Sequence, residues 1–505
     1  MINYEYADLF YGSHAKTWIF TCIDPDVQLT FSNDDIVQES ISLERGMCET
    51  DFFTYGTYSS NSIRVSVFKT EEHFKGKRFL VDVVLDNHTE APLTVGTFTC
   101  ESDNLSSDRR SRELIMYDDL YKLSELDVAQ WYNHYWDDND DVTLIQFRLD
   151  FFEDCLGIEC EGYDTQGTTL ANDFVVIKKA ANFRTLSAST VLKSILQVNC
   201  VNACMSNVNT LKWVRIKEYY IHGAPPQPLV FDIVPDITLD TSKFYNCNYE
   251  EYQVWNADSI GIIIDPDNVI LYVDGGTSPL PTHDNFLYIS YDNMFFRDLD
   301  MDGLHSFINS TLYGRVRNRI AFTPAQIQMR GNLCYEPGDV VQVDIDGKTI
   351  YTVIIKQTIT GVQGLTMTLS CQGDEFFSNP LSVESASYDD YAGSEGQGES
   401  GSIEYVPVTL PLSGWDSISK QQTVSVSQVQ ADETAQLIQP VPKITSLSDY
   451  MSSQILCINQ GAGTLTFSYS TAPSNDIDLY VVIQALQQAI SSSSSSTDTE
   501  QEEET

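Results

Sequence analysis

The chain has 505 residues, 42% of them hydrophobic and 11% aromatic, so it is long enough for three or four domains with apolar cores. Its formal net charge is −43, from 72 acidic against 29 basic residues. A field of that sign repels nucleic acid and anionic lipid, which argues against a protein that grips either one. The opening residues lack a basic region followed by an apolar run, and no long apolar run occurs. We therefore expect neither a signal peptide nor a membrane-spanning segment.

The first 112 residues are predicted to be rich in strands. The run "SIRVSVFK" alternates the apolar residues Ile63, Val65 and Val67 with polar ones, and "RFLVDVVLD" and "TVGTFTCES" continue the pattern. Such alternation is typical of strands with one buried face. Several short antiparallel strands at this spacing indicate a barrel or a sandwich.

The stretch "SRELIMYDDLYKLSELDVAQWYNHYW", residues 111–136, joins two patterns. Residues 112–116 have a strand-like composition, and residues 120–123 are predicted to form a short helix. A second helix follows, because apolar residues recur at the i, i+3, i+4 and i+7 positions of one helical face. These residues are Val128, Trp131, Tyr132 and Tyr135. Ser124 and Asp127 precede this helix with the spacing of a capping box, so we expect a change of subdomain near Tyr117.

The central part of the chain is predicted to be mixed. Strands are expected in "VTLIQFRLDFF" and "DFVVIKK", and a helix near "SASTVLKSILQVN". After the proline-rich connector "GAPPQPLVFDIVP" come strands ("SIGIIIDP", "VILYVDG", "FLYISY") and a helix near "GLHSFINSTLYGRV". A hairpin with Asp346 and Gly347 at its turn follows.

The composition changes after residue 378. Residues 379–402 carry much serine, glycine and acid and no basic residue, which predicts a flexible linker. Residues 403–487 are predicted to form a small β-rich module, and residues 488–505 a disordered, Ser-rich acidic tail.

The run "DLDMDG", Asp298 to Gly303, opens like a calcium-binding loop. The rest of that loop fails, since position twelve is Asn309 instead of glutamate and position eight is His305 instead of an aliphatic residue. Capping of the following helix by Asp302 or a neighbour explains the acids more simply. We expect no metal ion and no cofactor.

Eleven cysteines are scattered along the chain without the spacing of a disulfide-rich secreted domain, so we expect synthesis in a reducing cytoplasm. Two pairs, Cys155 with Cys160 and Cys200 with Cys204, could supply four thiolates to zinc. Their spacings are not those of zinc knuckles. Buried core positions are the favoured interpretation, and a zinc site is the alternative.

Four acids are concentrated in the run "WDDNDDV"; they are Asp137, Asp138, Asp140 and Asp141. Paired carboxylates can perform general acid–base catalysis, but nothing in the sequence places these in a pocket, so a solvated loop is favoured. Hydrolase signatures such as G-x-S-x-G and H-E-x-x-H do not occur in the sequence. We expect no catalytic residue and no enzymatic activity.

Three stretches resemble proteins of bacteriophage tails. Gly96-Thr97-Phe98, followed by an Arg-containing strand and the run at 117–123, is similar to a motif of the tail hub family. These are the tail-associated, or tail endopeptidase-like, proteins of long-tailed phages that infect Gram-positive hosts. Residues 330–375 resemble the closing barrel segment of that family, with Leu333 where proline is common. Residues 408–417 and 463–484 resemble a small β module that recurs in phage tail and baseplate proteins.

The resemblance implies a mainly β fold with an α+β part. It comprises two antiparallel β-barrels similar to tail-tube subunits, a peripheral mixed α/β domain and a small C-terminal β-sandwich-like module. The implied divisions are 1–112 for the first barrel, 216–262 with 318–378 for the second, 113–215 with 263–317 for the peripheral domain, 379–402 for the linker, 403–487 for the module and 488–505 for the tail.

The resemblance also implies a structural function. Three copies would form a ring that continues the tail tube at the distal end of the virion. The partners would be the distal tail protein, the tail tube and tape-measure proteins, and tip or fibre proteins, with DNA passing through the lumen without specific binding. The acidic charge fits a wall that repels phosphate, but the sequence does not reveal which acids line it.

Two alternatives come from other functional classes. One is a tail-associated peptidoglycan hydrolase, although the C-terminal extension carries no hydrolase signature. The other is a receptor-binding or carbohydrate-binding tail protein, in which Trp415 and Tyr469 would stack on sugar. A tryptophan in a small β domain is more often a core residue.

Overall fold

A computed structural model describes residues 4–12, 14–25, 27–86, 92–161, 170–222, 230–265, 268–273, 285–296, 299–377, 381, 404–427, 429–431, 436–443 and 446–485. The chain divides into two compact units, Met1–Gly393 and Ser394–Thr505. Both units are built mainly from β-strands, which confirms the mainly β fold class.

The described residues of the amino-terminal part form one α-helix, a 3-10 turn (Asn33–Asp35) and eight strands: α1 (Tyr4–Leu9), β1 (Lys16–Cys22), β2 (Thr30–Ser32), β3 (Ser42–Gly46), β4 (Tyr58–Ser59), β5 (Ser62–Val67), β6 (Arg78–Leu85), β7 (Leu93–Leu105) and β8 (Arg112–Tyr117). Every second residue of β6 is buried, starting at Phe79, as the two-residue period of a strand requires. The strands predicted in this part are confirmed at β5, β6 and β7. Strand β8 runs to Tyr117, beyond the boundary expected at residue 112.

The middle part is mixed, with the elements α2 (Ala129–Asp138), β9 (Asp141–Thr143), α3 (Leu144–Asp150), a π-helical turn (Phe151–Leu156), β10 (Val176–Lys178), α4 (Ala188–Asn199), β11 (Asn202–Met205) and β12 (Leu211–Val214). The helix predicted near α4 is confirmed. The strand predicted over "VTLIQFRLDFF" is wrong beyond Thr143. Leu144, Phe147 and Phe151 are fully buried at helical spacing, and the Thr143 hydroxyl caps α3 by accepting the N–H of Gln146 at 3.4 Å.

The short helix predicted at 120–123 and the cap predicted at Ser124 are both wrong. Residues 119–125 form successive turns, and Ser124 is exposed. Asp127 serves the start of α2 instead, because its carboxylate accepts the N–H of Ala129 at 3.0 Å and that of Leu186 at 2.9 Å. The carboxylate therefore ties the helix to a distant segment, which sequence spacing alone could not reveal.

The carboxyl-terminal part of the first unit holds the remaining elements: β13 (Tyr220–His222), β14 (Val230–Asp232), β15 (Ile237–Leu239), β16 (Phe244–Tyr249), β17 (Ser259–Asp265), β18 (Asn268–Val273), β19 (Phe286–Ser290), α5 (Met301–Phe307), α6 (Ser310–Arg317), β20 (Ala325–Arg330), β21 (Val340–Ile345), β22 (Lys348–Val353), β23 (Lys356–Thr360) and β24 (Thr366–Cys371). The predicted hairpin is β21–β22, with φ of 53° at Asp346 and 72° at Gly347. Two positive φ values define the turn that matches strand twist.

Two sequence-based predictions in this part need correction. The single helix expected near residues 303–316 is two helices, because Asn309 caps α6 by accepting the N–H groups of Thr311 and Leu312, both at 3.0 Å. The division expected between 262 and 263 falls inside β17, which pairs with both β18 and β19.

One large antiparallel sheet dominates the first unit. Its strand order is β16-β20-β24-β23-β3-β5-β8-β7-β6-β1-β2, and it curls into a half-barrel. Strand β3 pairs with β23, placing Leu43 opposite Ile359. Strands from both sequence regions expected to form separate barrels are therefore hydrogen-bonded into one continuous sheet.

Two hydrophobic cores lie in the first unit. The sheet core contains Trp18, Phe79 and Val65 of the amino-terminal strands together with Ile327 and Val343 of the later ones. The helical core gathers side chains of α2, α3, α4, α5 and α6, with many aromatic contacts around Phe147. Its members come from segments that are distant in sequence.

The second unit contains β25 (Glu404–Leu410), β26 (Gln421–Ser425), β27 (Gln436–Pro442), α7 (Leu447–Ser453), β28 (Leu456–Gly461), β29 (Thr464–Ser468) and β30 (Ile477–Ala485). The strands form two antiparallel three-stranded sheets, β25-β30-β27 and β26-β29-β28. Leu410, Phe467 and Leu479 belong to a core that both sheets share.

The predicted linker and tail fall largely outside the described residues. One linker residue, Leu381, is described and is buried, and it exchanges backbone hydrogen bonds with Tyr288 and Ser290 beside β19. Leu381, which lies within the predicted linker, is therefore packed beside β19. Among the helices that the structure describes, none has the length and apolarity that crossing a membrane requires.

Candidate functional site

The candidate functional surface is the solvent-facing side of the large sheet, here called the polar face. Directly opposite residues in an antiparallel pair point to the same side, so the strand registers define its members across six strands. They are Gln326, Gln328, Arg330, Thr366, Thr368, Ser370, Lys356, Thr358, Thr360, Ser42, Glu44, Ser62, Arg64, Ser66, Glu113, Ile115 and Tyr117. All of them are half-buried or exposed, and most carry hydroxyl or amide groups.

The charges on the polar face nearly balance, unlike those of the chain as a whole. Three of its members are cationic and two are anionic, against a formal charge of −43 for the whole chain. Lys356 Nζ lies 3.1 Å from Glu44 Oε2, and Arg64 Nε lies 3.5 Å from Glu113 Oε1. Both pairs join neighbouring strands, so the acidity of the chain lies elsewhere.

The remaining cation of the polar face is occupied by backbone groups. The Arg330 guanidinium donates to the carbonyl oxygens of Tyr11 and Gly12, which follow α1. The contact holds the arginine at the end of β20 against the amino-terminal segment.

A cleft of about 320 Å³ opens in the polar face where β3, β5 and β8 meet. Its floor includes Arg45, which is buried and donates to the carbonyl oxygen of Val95 at 2.8 Å. Ser59 and Ser60 add hydroxyl groups, and Glu49 a carboxylate. The described lining includes neither histidine nor cysteine, so it offers hydrogen bonds to a polar ligand but no nucleophile paired with an imidazole base.

Asp118 directly follows the last residue of strand β8, Tyr117, and its side chain explains why the strand ends there. Its carboxylate accepts hydrogen bonds from the Ser60 hydroxyl at 2.7 Å, the Asn61 N–H at 2.7 Å and the Leu120 N–H at 3.1 Å. The last bond turns the chain away from the sheet. Burial raises the pKa of Asp118 to about 7, against these three donors, which favour the ionised form.

The run "DLDMDG", which opens like a calcium-binding loop, contains the N-terminus of helix α5. Asp300 Oδ1 accepts the N–H of Gly303 at 2.8 Å and so caps α5, which confirms the interpretation that a neighbour of Asp302 caps the helix. Asp298 lies outside the described residues. Within the described ranges, no group of three or more potential metal ligands comes together.

The four cysteines considered for zinc lie in or beside the helical core. Cys200 and Cys204 are buried members of it, and Cys155 and Cys160 are half-buried against it. Burial raises the pKa of Cys155 and Cys160 to about 11 and that of Cys204 to about 12. Such thiols remain protonated at neutral pH, as small core residues do.

The four acids of the run "WDDNDDV" are exposed, and three of them have basic partners. Both Asp137 and Asp138 lie 4.0 Å from ring nitrogens of His134. Asp137 lies 3.6 Å from Lys179 Nζ, and Asp141 lies 3.7 Å from Lys178 Nζ. The sequence analysis did not predict these lysine partners. The lysines come from the β10 region, which pairs with β9, so the contacts depend on the hairpin and not on sequence neighbours.

The polar face was not identified from the sequence, although a signal for it exists. In β24, the polar residues Thr366, Thr368 and Ser370 alternate with buried Met367 and Leu369. The alternation marks one polar side for each strand. It does not show that six such strands share one sheet, because the strand order depends on long-range pairing.

No protein-family model and no curated protein matches the sequence. Among solved structures, the chain is similar to the tail protein from Neisseria meningitidis MC58, at 12% identity and a TM-score of 0.40, over 72% of this chain and 98% of that one. It is also similar to the 43 kDa tail protein of prophage MuSo2 from Shewanella oneidensis, at 11% identity and a TM-score of 0.41, over 70% and 97% of the two chains.

A third similar structure is an E. coli component of the type VI secretion system that exhibits structural similarity to the T4 bacteriophage tail proteins gp27 and gp5. The identity is 9% and the TM-score 0.32, over 77% of this chain and 85% of that one. The solved structures that this chain is similar to therefore include tail proteins and a type VI secretion component.

Proposed function

We propose that the chain is a structural hub protein of a phage tail, three copies of which form a ring that continues the tail tube. The single observation that carries the proposal is the eleven-stranded sheet, in which β3 and β23 join the two regions that were expected to form tube-like barrels. A continuous sheet with one apolar and one polar, solvent-facing side is the element that the wall of a tube requires.

The ends of the sheet fit assembly with further copies. Within the described strands, β16 lies at one end of the sheet and β2 at the other. An edge strand presents unpaired backbone N–H and C=O groups to which another chain can add. A rotational arrangement that closes on itself converts such edges into a ring.

The proposal includes the location and the partners that the sequence resemblance implies. The hub would lie at the distal end of the tail in the virion after synthesis in the cytoplasm of the host bacterium. It would contact the distal tail protein, the tail tube and tape-measure proteins, and tip or fibre proteins. During genome ejection, DNA would pass through its lumen without specific binding, and no cofactor or enzymatic activity would be needed.

The oligomeric state tests the ring. Mass photometry of the chain co-expressed with its tail partners should give assemblies that contain three copies. The chain expressed alone, measured beside them, shows whether partners are required for the ring to close. Assembled tips that contain two or four copies would contradict the proposal.

The hydrolase alternative is tested by zymography on the purified full chain. We expect no clearing of host cell wall, with a known muramidase as the positive control. For the sugar-binding alternative, the Trp415 ring packs edge-on against Tyr469, with ring centroids 5.2 Å apart, and both rings are partly buried against the core of the second unit. This packing favours a core position, and we expect the purified chain to bind no glycan on an array. In the zymogram, clearing of the cell wall by the purified chain would contradict the structural role and identify the chain as an enzyme.

A further inference from the structure

The polar face carries positive charge that a polyanion could use. A protein gains affinity for DNA when Lys and Arg side chains replace the counterions of the phosphates. Lys356 and Arg64 lie on the polar face, on two strands that both neighbour β3. If their charges were free, a phosphate backbone passing along this face would find attachment points.

Each of these cations is held by a carboxylate of the adjacent strand. Glu44 of β3 pairs with Lys356 of β23 at 3.1 Å, and Glu113 of β8 pairs with Arg64 of β5 at 3.5 Å. Arg330 is engaged by the carbonyl oxygens of Tyr11 and Gly12. Other positions of the face carry neutral hydroxyl and amide groups. Ser42 of β3 lies between Thr360 and Arg64 in the strand register, and the hydroxyl oxygens of Thr360 and Thr366 lie 2.7 Å apart.

We propose that the polar face is the surface past which double-stranded nucleic acid moves, and that Glu44 and Glu113 keep it from adhering by occupying Lys356 and Arg64. This inference rests on the proposed function, since it needs a polyanion that passes through the ring. It differs from repulsion by an acidic wall, because the face has no excess of acids. Phosphate meets a surface rich in hydroxyl groups on which the charges of Lys356 and Arg64 are already paired.

A purely structural role makes a different prediction. Cross-strand ion pairs also help to fix strand register, and in that case removal of the carboxylates would change stability without changing affinity for DNA. The two roles are therefore separated by a binding measurement.

The test uses the full chain with Glu44→Gln and Glu113→Gln combined. The matched control combines Glu71→Gln and Glu72→Gln, which removes the same charge from two exposed acids outside the polar face. Binding of a short fluorescent DNA duplex is followed by anisotropy. We expect the polar-face variant to bind roughly tenfold more tightly than the parent and the control at about 50 mM salt, and to lose that gain near 200 mM, as two phosphate contacts imply.

Two further variants complete the test. Adding Lys356→Gln and Arg64→Gln to the polar-face variant should return its affinity for DNA to that of the parent. The single variant Glu44→Gln should show a smaller gain in affinity, and it replaces the double variant if the latter does not fold. A folded polar-face variant that binds DNA no more tightly than the control would overturn the inference.

The copy number measured on the same samples separates this inference from the proposed function. Three copies per assembly without any gain in DNA affinity would support the hub and contradict the role proposed for Glu44 and Glu113. A gain in affinity in an assembly of two or four copies would contradict the ring, and with it the passage of nucleic acid. It would leave only the effect of Glu44 and Glu113 on the affinity for DNA.

Discussion

The two cores of the first unit satisfy their polar groups in different ways. In the sheet core, ladder hydrogen bonds pair the backbone within the strands, so buried polar side chains serve the carbonyl groups outside the ladder. Arg45 donates to the carbonyl oxygen of Val95 at 2.8 Å, and Gln357 to that of Tyr335 at 2.9 Å. The helical core joins irregular segments whose backbone groups need side-chain partners. Asp173 accepts the N–H of Leu170 at 2.7 Å, and Asn202 donates to the carbonyl oxygens of Met47 and Thr54 at 3.1 and 2.8 Å. In both cores, buried polar side chains therefore serve backbone groups that strand pairing leaves without a partner, and irregular chain paths create such groups within the helical core.

The largest effect expected from this contrast concerns the buried ion pair of the helical core. Arg148 donates to both carboxylate oxygens of Asp173, at 2.9 and 3.0 Å, and both side chains are fully buried. Arg148→Met should lower the free energy of unfolding by about 3–5 kcal/mol, because Asp173 would remain buried without its partner. Denaturant unfolding measures the loss. Arg148→Met with Asp173→Asn should cost less, and an equal or greater cost for the double variant would contradict the argument.

The next effect distinguishes two neighbouring aromatic residues of α2. Tyr132 is buried, and its hydroxyl accepts the N–H of Ala180 at 3.0 Å, whereas Trp131 is half-buried. Tyr132→Ala should cost roughly 3–5 kcal/mol, as other large-to-small core changes do, and Trp131→Ala clearly less. Tyr132→Phe is the control that keeps the ring and removes the hydroxyl. A larger loss for Trp131→Ala would mean that the buried side of α2 is misassigned.

In the sheet core, the junction between β3 and β23 should depend on apolar contact alone. Leu43 is fully buried opposite Ile359. Leu43→Ala should cost about 2–5 kcal/mol and Ile359→Val only about 0.5–1.5 kcal/mol, in proportion to the volume removed. Thermal and denaturant unfolding provide the comparison. Equal costs for the two changes would indicate a polar or strained contribution at the junction.

A smaller, pH-dependent effect should come from Asp118. In the sequence, this residue lies between Met116 of the sheet core and Leu120 of the helical core. Its folded-state pKa, raised by burial to about 7, lies above the ordinary aspartate value of 3.8. Between these two values the folded chain holds a proton that the unfolded chain has released. Its contribution to the free energy of unfolding therefore falls as pH rises from about 4 to about 7 and is level above that range.

Asp118→Asn should remove this part of the pH dependence. The fall in melting temperature between about pH 5 and about pH 8, a range that spans the transition, should be smaller in the variant than in the parent. Asp339, whose pKa burial also raises to about 7, keeps its own contribution in both proteins. An identical fall in both proteins would show that Asp118 is ionised throughout.

The smallest effects should come from the start of α2. Asp127→Ala should cost about 0.5–2 kcal/mol, because the N–H groups of Ala129 and Leu186 lose their acceptor. Ser124→Ala, at an exposed position, should change stability by less than about 0.5 kcal/mol. Thermal unfolding of the two variants gives the order directly. A larger loss of stability for Ser124→Ala than for Asp127→Ala would mean that Ser124 caps the helix, as the sequence spacing predicted.

Local patterns in the sequence were sufficient where the structure depends on neighbours in the chain. The alternation of β5 and β6, the turn at Asp346 and Gly347 and the helix α4 could all be predicted, because strand period, turn conformation and helical spacing are local properties. The strand prediction is wrong over residues 144–152 because a short apolar run without turn residues fits a strand and a buried helix equally well.

The tertiary structure alone decided the features that carry the proposals. The pairing of β3 with β23 joins residues more than three hundred positions apart, and the partners of Lys356 and Arg148 lie on other elements of the fold. The sequence by itself determined the mainly β character, the acidity and most local elements. It could not determine strand order or the balanced charge of the polar face, because both arise from the arrangement of distant strands, which local hydrogen bonding and side-chain period leave open.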